Sequence, residues 1–406
     1  MAIKANNKVV VLLVALVVIF CSGHAFQTIF TFHTKIILVA GVIALLLELL
    51  RVKDMKLGKS QIALTLFALM VIVTFIAYRG QGSTFYFRLV CFILAGYGLA
   101  QMYSFKQIAR CHVTLMTVVT VVALVGYALV HNTTVLKALP KYTNLNDVEY
   151  RVAVIFNYIP EVADRNCGMF WEPGLFATHL IIATVFEIMF SKKPSIWRLA
   201  IFSAGIVTAN SAAGFALLLL CLMLLFVKRV NLSKNLLSTI IGVIALILGI
   251  AVILNFDALL AQTGLGNNQY MSKLSSDSVM DSSRMSAIEH NVEQFFASPI
   301  FGIGFSAAFA NSRHVSDTST STYLLSVFGI LGALYTVYWA YGIFKQPKVN
   351  ILAKILLFVI ALVILNKEPH YENLMTWCIL FALIRGDYFD VDVEEKKRQR
   401  IVFRWR

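Results

Sequence analysis

The sequence predicts an all-α membrane protein whose chain crosses a lipid bilayer about twelve times. Of its 406 residues, 59% are hydrophobic and only 14% are charged. A soluble domain of ordinary size cannot bury so much apolar surface, so we expect the bilayer to cover it. The apolar residues also form runs that are long enough, or nearly so, to span the hydrocarbon core as helices. We expect residues 1–406 to form a single integral membrane domain.

The candidate spans follow one another along most of the chain. The single apolar stretches lie at about residues 9–30, 35–50, 60–78, 84–103, 112–130, 173–190, 236–255, 318–344, 350–366 and 371–385. The segment from Arg198 to Lys228 is too long for one comfortable span, and both its flanks are basic. We expect two short crossings there that turn near Asn210 and Ser211. The first stretch is expected to be a retained span, because no clear small-residue cleavage site follows it.

The positive charges of the gaps predict which side of the membrane each gap faces. Short cytoplasmic loops are enriched in lysine and arginine, and every cytoplasmic gap is basic when the N-terminus is placed inside. The same assignment makes residues 387–406 a basic cytoplasmic tail that lies near anionic lipid. It also places two long segments, residues 131–172 and 256–317, outside as large periplasmic loops. Only these two loops are large enough to build an external site.

Composition and missing motifs exclude several kinds of chemistry. The net charge of +14 would suggest nucleic acid in a soluble protein, but these basic residues lie between apolar runs, so we predict no nucleic-acid partner. The six cysteines show no metal-ligand spacing. No nucleotide-phosphate, zinc-hydrolase or serine-hydrolase motif with supporting context is present. We therefore predict neither a metal nor a cofactor.

The first periplasmic loop ends in a candidate catalytic carboxylate. The run RNCGMFWEPG places Arg165, Trp171 and Glu172 directly before a span, and Pro173 suits the first turn of its helix. Glu172 then lies at the helix N-terminus, where the helix dipole favours an anion. Two interpretations stay open. Either Glu172 only starts the helix and Trp171 anchors it at the interface, or Glu172 is a general base with Arg165 holding a phosphate.

The second periplasmic loop contains a predicted amphipathic helix in the run SSRMSAIEHNVEQFF. Its apolar side chains share one face at about 100° per residue, and they are Met285, Ile288, Val292, Phe295 and Phe296. We therefore expect this helix to lie on the outer membrane surface. Arg284 borders the stripe, where it either reaches lipid phosphate or meets the headgroup of a lipid-linked substrate. His290 points away from the stripe and, like His314 later in the loop, is a further candidate base.

Charged residues also occur at the outer ends of spans. Arg88 lies about one turn inside its span, where an arginine is either functional or reaches the interface by snorkelling. The short outer loop KEPHYE contains Lys367, Glu368, His370 and Glu372. Two interpretations stay open for this cluster: it lines a site, in which case Glu368 is another candidate base, or it is simply solvated.

Together these features resemble the O-antigen polymerase and ligase superfamily. The resemblance rests on RNCGMFWEPG, on SSRMSAIEHNVEQFFASPIFGIGFS and on the following span STSTYLLSVFGILGALYTVYW. It covers residues 150–345 by motif and the whole chain by hydropathy. It implies a membrane-embedded glycosyltransferase of GT-C-like type that is metal-independent, inverting, and active at the periplasmic face of the bacterial inner membrane.

The resemblance also implies a substrate and partners. The substrate would be an undecaprenyl-diphosphate-linked glycan, bound through its diphosphate by Arg165 and Arg284, with Arg88 as a further candidate. The candidate bases are Glu172, His290, His314 and Glu368. Membrane lipids surround the chain, and a chain-length regulator protein is a possible partner.

One departure from the family pattern bears on which of the family's two activities, polymerase or ligase, this chain has. Ligases of this superfamily commonly begin the next span with a His-Asn-x-Tyr-Leu-like motif, in which the histidine activates the acceptor. This chain has Thr320, Ser321 and Thr322 before Tyr323 and Leu324. The departure favours a polymerase that joins one lipid-linked repeat unit to another, with a ligase as the alternative.

A transporter is the alternative from another functional class. A flippase for lipid-linked oligosaccharides also has about a dozen spans, but such a transporter usually needs charged residues deep within its spans and short loops on both faces. This chain instead concentrates its polar groups in two long outer loops. The pattern therefore favours the transferase.

The predicted topology can be tested by cysteine labelling in a variant without the six native cysteines. We expect a membrane-impermeant thiol reagent to label single cysteines placed in residues 131–172 or 256–317 of cells with a permeabilised outer membrane. Cysteines placed in residues 51–59 or 387–406 should react only after lysis. Protection of both long loops before lysis would contradict the topology.

Overall fold

The computed structural model describes residues 14, 16–29, 36, 39–40, 43, 58–130, 138–144, 147–229, 283–311, 318–347, 349–386 and 389. Their helices are α1 (Phe26–Ile29), α2 (Lys59–Ala77), α3 (Ser83–Met102), α4 (Phe105–Leu129), α5 (Pro173–Phe190), α6 (Ile196–Ala209), α7 (Ala212–Arg229), α8 (Ser283–Ala297), α9 (Gly304–Asn311), α10 (Thr320–Phe328), α11 (Ala333–Phe344), α12 (Ile351–Leu365) and α13 (Leu374–Arg385). Short 3₁₀ turns lie at Pro160–Val162, Gly329–Gly332 and His370–Glu372. The strands are β1 (Lys141–Thr143), β2 (Glu149–Ala153) and β3 (Phe156–Tyr158).

Five helical stretches of the described chain are long and apolar enough to cross a membrane. They are Lys59–Ala77, Ser83–Met102, Phe105–Leu129, Pro173–Phe190 and Thr320–Phe344. Shorter apolar helices are α6, α7, α12 and α13. All of these lie where the sequence predicted spans. The predicted span at 236–255 and most of the one at 35–50 fall outside the described residues, while residues 14 and 16–29 of the predicted span at 9–30 are described. The described chain is thus mostly helical, as expected of an α-helical membrane protein.

The long apolar segment after Arg198 is a helical hairpin, as predicted. Helix α6 ends at Ala209, and α7 begins at Ala212. Between them Asn210 adopts a left-handed backbone with φ 47°, a conformation that asparagine tolerates better than most residues. The turn therefore lies at Asn210 and Ser211.

A three-stranded antiparallel sheet lies within the predicted loop 131–172 and was not predicted. Its strand order is β1-β2-β3, and in β2 the side chains of Tyr150 and Val152 are buried while Glu149 and Arg151 are half-buried, the alternation expected of a strand. Lys141 of β1 hydrogen-bonds Glu149 and, together with Arg151, holds the pKa of that carboxyl below its usual value. Strands this short give little signal beside long apolar helices.

The chain forms two compact units. Unit 1 consists of Met1–Leu115, Ala287–Lys348 and Leu365–Arg406. Unit 2 consists of Met116–Ser286 and Val349–Ile364. In unit 2, α5 packs against both α6 and α7, and every residue of α5 is buried. This explains how a helix can carry polar residues at both of its ends without exposing them to lipid.

In unit 1, α13 packs closely against α3. The contact depends on Gly96, because a Cβ atom at this position would meet the Cβ of Trp377 and lie 2.9 Å from its carbonyl carbon. The Trp377 ring lies in turn edge-on to Phe67, with ring centroids 5.2 Å apart. Small residues permit such close helix approach inside membranes.

Gly96→Ala should therefore lower the melting temperature of the purified protein in detergent. We expect a loss of about 1 to 3 kcal/mol from overpacking, which exceeds the gain of up to about 1 kcal/mol from alanine's helix propensity. Gly58→Ala is the matched control, since its added Cβ would meet only the end of the flexible Gln61 side chain. A melting temperature of Gly96→Ala at or above that of the wild type would contradict the packing of α3 on α13.

Candidate functional site

Glu172 lies directly before α5, as the sequence predicted. Its backbone is extended, with φ −154° and ψ 157°, and Pro173 is the first helical residue. The Glu172 side chain is only half-buried, yet its Oε1 atom is buried and has no hydrogen-bond partner among the described residues. Leaving a buried polar atom without a partner costs about 1 to 3 kcal/mol of folding free energy, and the cost is higher for a charged group. Both interpretations of Glu172 therefore stay open, and its unpartnered oxygen is the feature that a general base would use.

Arg165 is attached to the end of α6 in the same unit. Its Nε atom donates to the carbonyl oxygen of Ala209 at 3.2 Å. The adjacent Asn166 is fully buried, and its Nδ2 atom donates to the carbonyl of Ala123 at 3.2 Å and to Thr208 Oγ1 at 3.1 Å. The segment that carries Arg165 is therefore fixed between α4 and α6.

The Cys167 thiol shows that Arg165 and Glu172 share one environment. Burial raises the pKa of Cys167, while the charge of Arg165 lowers this pKa and the charge of Glu172 raises it. Both charged side chains are therefore near enough to act on the same sulfur atom. The structure thus brings together the two residues that the sequence singled out in the first loop.

Two other predicted residues cannot be placed in this site. Arg284 lies in the first turn of α8, as expected, but its side chain is outside the described residues. His314 is also outside them. Their assignments remain predictions.

Helix α8 lies where the sequence predicted it, and its polar side is the one that is buried. Asn291 and Gln294 are buried, whereas Phe296 of the predicted apolar stripe is 72% exposed. The Asn291 Nδ2 atom donates to Thr322 Oγ1 at 3.1 Å, and Gln294 Nε2 lies 2.6 Å from His290 Nε2. A polar face toward the protein and an apolar face outward suit a helix at a lipid surface.

The start of α10 is surrounded by side-chain hydrogen bonds within unit 1. Asn366 Oδ1 accepts from Ser319 Oγ at 2.9 Å and from the Ser321 amide at 3.2 Å. Thr320 Oγ1 accepts from the His370 amide at 2.7 Å and donates to the Glu368 carbonyl at 2.9 Å. These bonds satisfy amide groups that a helix start leaves without partners.

The loop 366–373 is therefore part of the protein interior. Lys367, Glu368 and His370 are only 3%, 5% and 1% exposed, which excludes the solvated interpretation. Glu372 in the same loop forms an ion pair with Arg88 of α3. Burying so many ionisable groups is expensive, so a functional or strong structural reason is required.

The sequence predicted a polar cluster in the loop 366–373 but not the side chains of α3 and α10 that contact it. The signals were the polar run STST at the start of a span and the density of charge in KEPHYE. We call the residues 290–294, 319–322 and 366–372 the unit 1 cluster.

No protein-family model, curated protein sequence or solved structure matches the chain. Its function is therefore inferred from its own residues and their geometry.

Proposed function

We propose that the chain is a surface-polysaccharide polymerase of the O-antigen type. It joins undecaprenyl-diphosphate-linked repeat units at the periplasmic face of the bacterial inner membrane, with both of its termini in the cytoplasm. The transfer is inverting and needs no metal. The apolar helices support a membrane location, and the polar groups of the outer loops support chemistry at the outer face.

The observation that carries the proposal is the buried Glu172 Oε1 atom, which has no partner among the described residues and lies near Arg165. A carboxylate oxygen without a donor can accept a proton from a substrate hydroxyl. Arg165 in the same environment can pair with a phosphate.

The reaction then proceeds by a single displacement. Glu172 takes the proton from an acceptor hydroxyl as its oxygen forms a bond to the anomeric carbon of the donor. The anomeric carbon–oxygen bond breaks, and undecaprenyl diphosphate leaves with the bonding electrons. Arg165 and Arg284 neutralise the charge that develops on this diphosphate, where electrostatic stabilisation matters most.

We do not retain Arg88 as a diphosphate ligand. Its guanidinium is engaged by the Glu372 carboxylate, and both side chains are less than one-third exposed. An arginine with a carboxylate partner is a weaker phosphate ligand, because its charge is already compensated. We assign it instead to holding the loop 366–373.

Glu172→Gln keeps the shape of the side chain and removes its ability to accept a proton. Polymerisation of purified lipid-linked repeat units should slow by about 2 to 4 orders of magnitude, the usual loss for a general base. Glu161→Gln is the matched control, since Glu161 is an exposed carboxylate of the same loop, and it should retain activity. A near-normal rate in Glu172→Gln would move the role to His290, His314 or Glu368.

Arg165→Lys and Arg284→Lys should both be strongly impaired although they keep the charge. A lysine cannot form the paired hydrogen bonds that a guanidinium makes to a diphosphate. Arg79→Lys is the control, because Arg79 is exposed between α2 and α3. Full polymerisation activity in both lysine variants, at unchanged protein level, would contradict a role of the two arginines in the mechanism. The arginines would then only reach the phosphates of bulk lipid, which any cation can do.

A further inference from the structure

Two of the buried polar atoms in the unit 1 cluster that have no hydrogen-bond partner among the described residues lie on α8 and α10. They are Ser321 Oγ and Gln294 Oε1, and each residue is only 7% exposed. Ser321 lies in the first turn of α10. Gln294 lies on α8 about one turn after Asn291, whose side chain donates to Thr322, the neighbour of Ser321. The two atoms therefore belong to the same buried polar region.

The surrounding side chains do form hydrogen bonds. Thr322 Oγ1 donates to Ser319 Oγ at 2.7 Å, and Ser319 Oγ donates to Asn366 Oδ1. The nitrogen of the Gln294 amide is paired with His290. Buried polar groups are nearly always satisfied in folded proteins, because an unsatisfied one destabilises the fold. Alanine at 321 and leucine at 294 would avoid this destabilisation. The presence of polar atoms at both positions therefore favours a polar ligand as their partner.

The chemistry of the cluster matches a sugar. A sugar hydroxyl can donate to the amide oxygen of Gln294, and another can donate to or accept from the Ser321 hydroxyl. The groups that bond beside Ser321 are the hydroxyls of Ser319 and Thr322 and the amides of Asn291 and Asn366, which suit a polyol. Thr322, Asn366 and His290 are only half-buried, so the cluster reaches the surface of unit 1.

We infer that the unit 1 cluster is a saccharide-binding site in which Ser321 and Gln294 select the sugar. The Arg88–Glu372 ion pair positions the loop 366–373, whose Asn366 side chain caps α10. This inference rests on the proposed function, which makes a glycan the substrate, and adds the residues that recognise it. Donor and acceptor units carry the same sugars, so kinetics must determine which of them occupies the site.

The test compares Ser321→Ala and Gln294→Leu with two controls at exposed positions, Ser306→Ala and Gln81→Leu. The probe is the repeat-unit oligosaccharide of the source cell, released from its lipid by mild acid. Its binding to the intact protein in detergent is measured by saturation-transfer NMR. We expect each of the two variants to bind it about fivefold to tenfold more weakly, as for the loss of one neutral hydrogen bond, and the controls to bind normally.

Kinetics and stability separate recognition from folding. The KM should rise by the same factor with kcat unchanged, because a binding contact common to ground and transition states is lost. The released oligosaccharide serves here as a soluble acceptor. Varying the concentrations of the lipid-linked donor and of this acceptor separately shows which of the two KM values changes. The melting temperature of Ser321→Ala should stay equal to that of the wild type or rise, since an unsatisfied polar atom has been removed. Gln294→Leu also loses the bond between the Gln294 amide and His290, so a small decrease in its melting temperature is expected.

The possible outcomes distinguish this inference from the proposed function. Unchanged binding and KM in both variants of an active protein would overturn the saccharide site alone. Weaker binding accompanied by a lower melting temperature in both variants would also overturn it, in favour of a structural role. A wild-type protein that binds the oligosaccharide through Ser321 and Gln294 but never polymerises would support the site and contradict the proposed function.

Discussion

Every polar group that leaves water must find a partner, and this constraint shapes the described chain more than any other. Helix α5 shows it at both ends. At its C-terminal end the buried Glu187 accepts from Ser191 Oγ at 3.1 Å, from the Ser195 amide at 2.8 Å and from Arg198 at 3.2 Å. At its N-terminal end Glu172 Oε1 has no such donor among the described residues. The carboxylates at the two ends of α5 thus differ in their hydrogen bonding, and the proposed function assigns the general base to Glu172.

The same constraint organises unit 1. The loop 366–373 carries several ionisable side chains into the interior, where Glu372 pairs with Arg88 and Asn366 caps α10. Its backbone is joined to Thr320 by hydrogen bonds in both directions. Ser321 Oγ and Gln294 Oε1 are buried atoms of the same unit that have no hydrogen-bond partner among the described residues. The inferred saccharide site gives both atoms a partner.

The sequence predicted the elements that depend on local signals. The bounds of the apolar helices follow from hydropathy, the start of α5 follows from Pro173, and the hairpin turn follows from basic flanks around Asn210. That Arg165 and Glu172 both act on the Cys167 thiol also follows from local spacing, because the two residues are only seven positions apart. The short sheet of the first loop gave no comparable signal, since its strands contain at most five residues.

The remaining features depend on contacts between distant parts of the chain, which no local pattern encodes. Arg88 and Glu372 are 284 positions apart, and Asn291 and Thr322 are 31 apart. The apolar stripe of α8 predicted the helix and its outward face, but burial of the opposite, polar face requires a polar partner surface. Asn291 finds such a partner in Thr322 at the start of α10. The burial of Lys367, Glu368 and His370 likewise could not be read from their composition alone.

The central claim is that this chain forms glycosidic bonds between lipid-linked repeat units. The most direct measurement reconstitutes the purified protein in lipid vesicles with a labelled undecaprenyl-diphosphate-linked repeat unit, a metal chelator and no nucleotide. The account predicts that saccharides longer than one repeat unit accumulate and that one undecaprenyl diphosphate appears for each bond formed. Movement of intact repeat units from one leaflet to the other, without longer saccharides, would contradict it and identify a transporter.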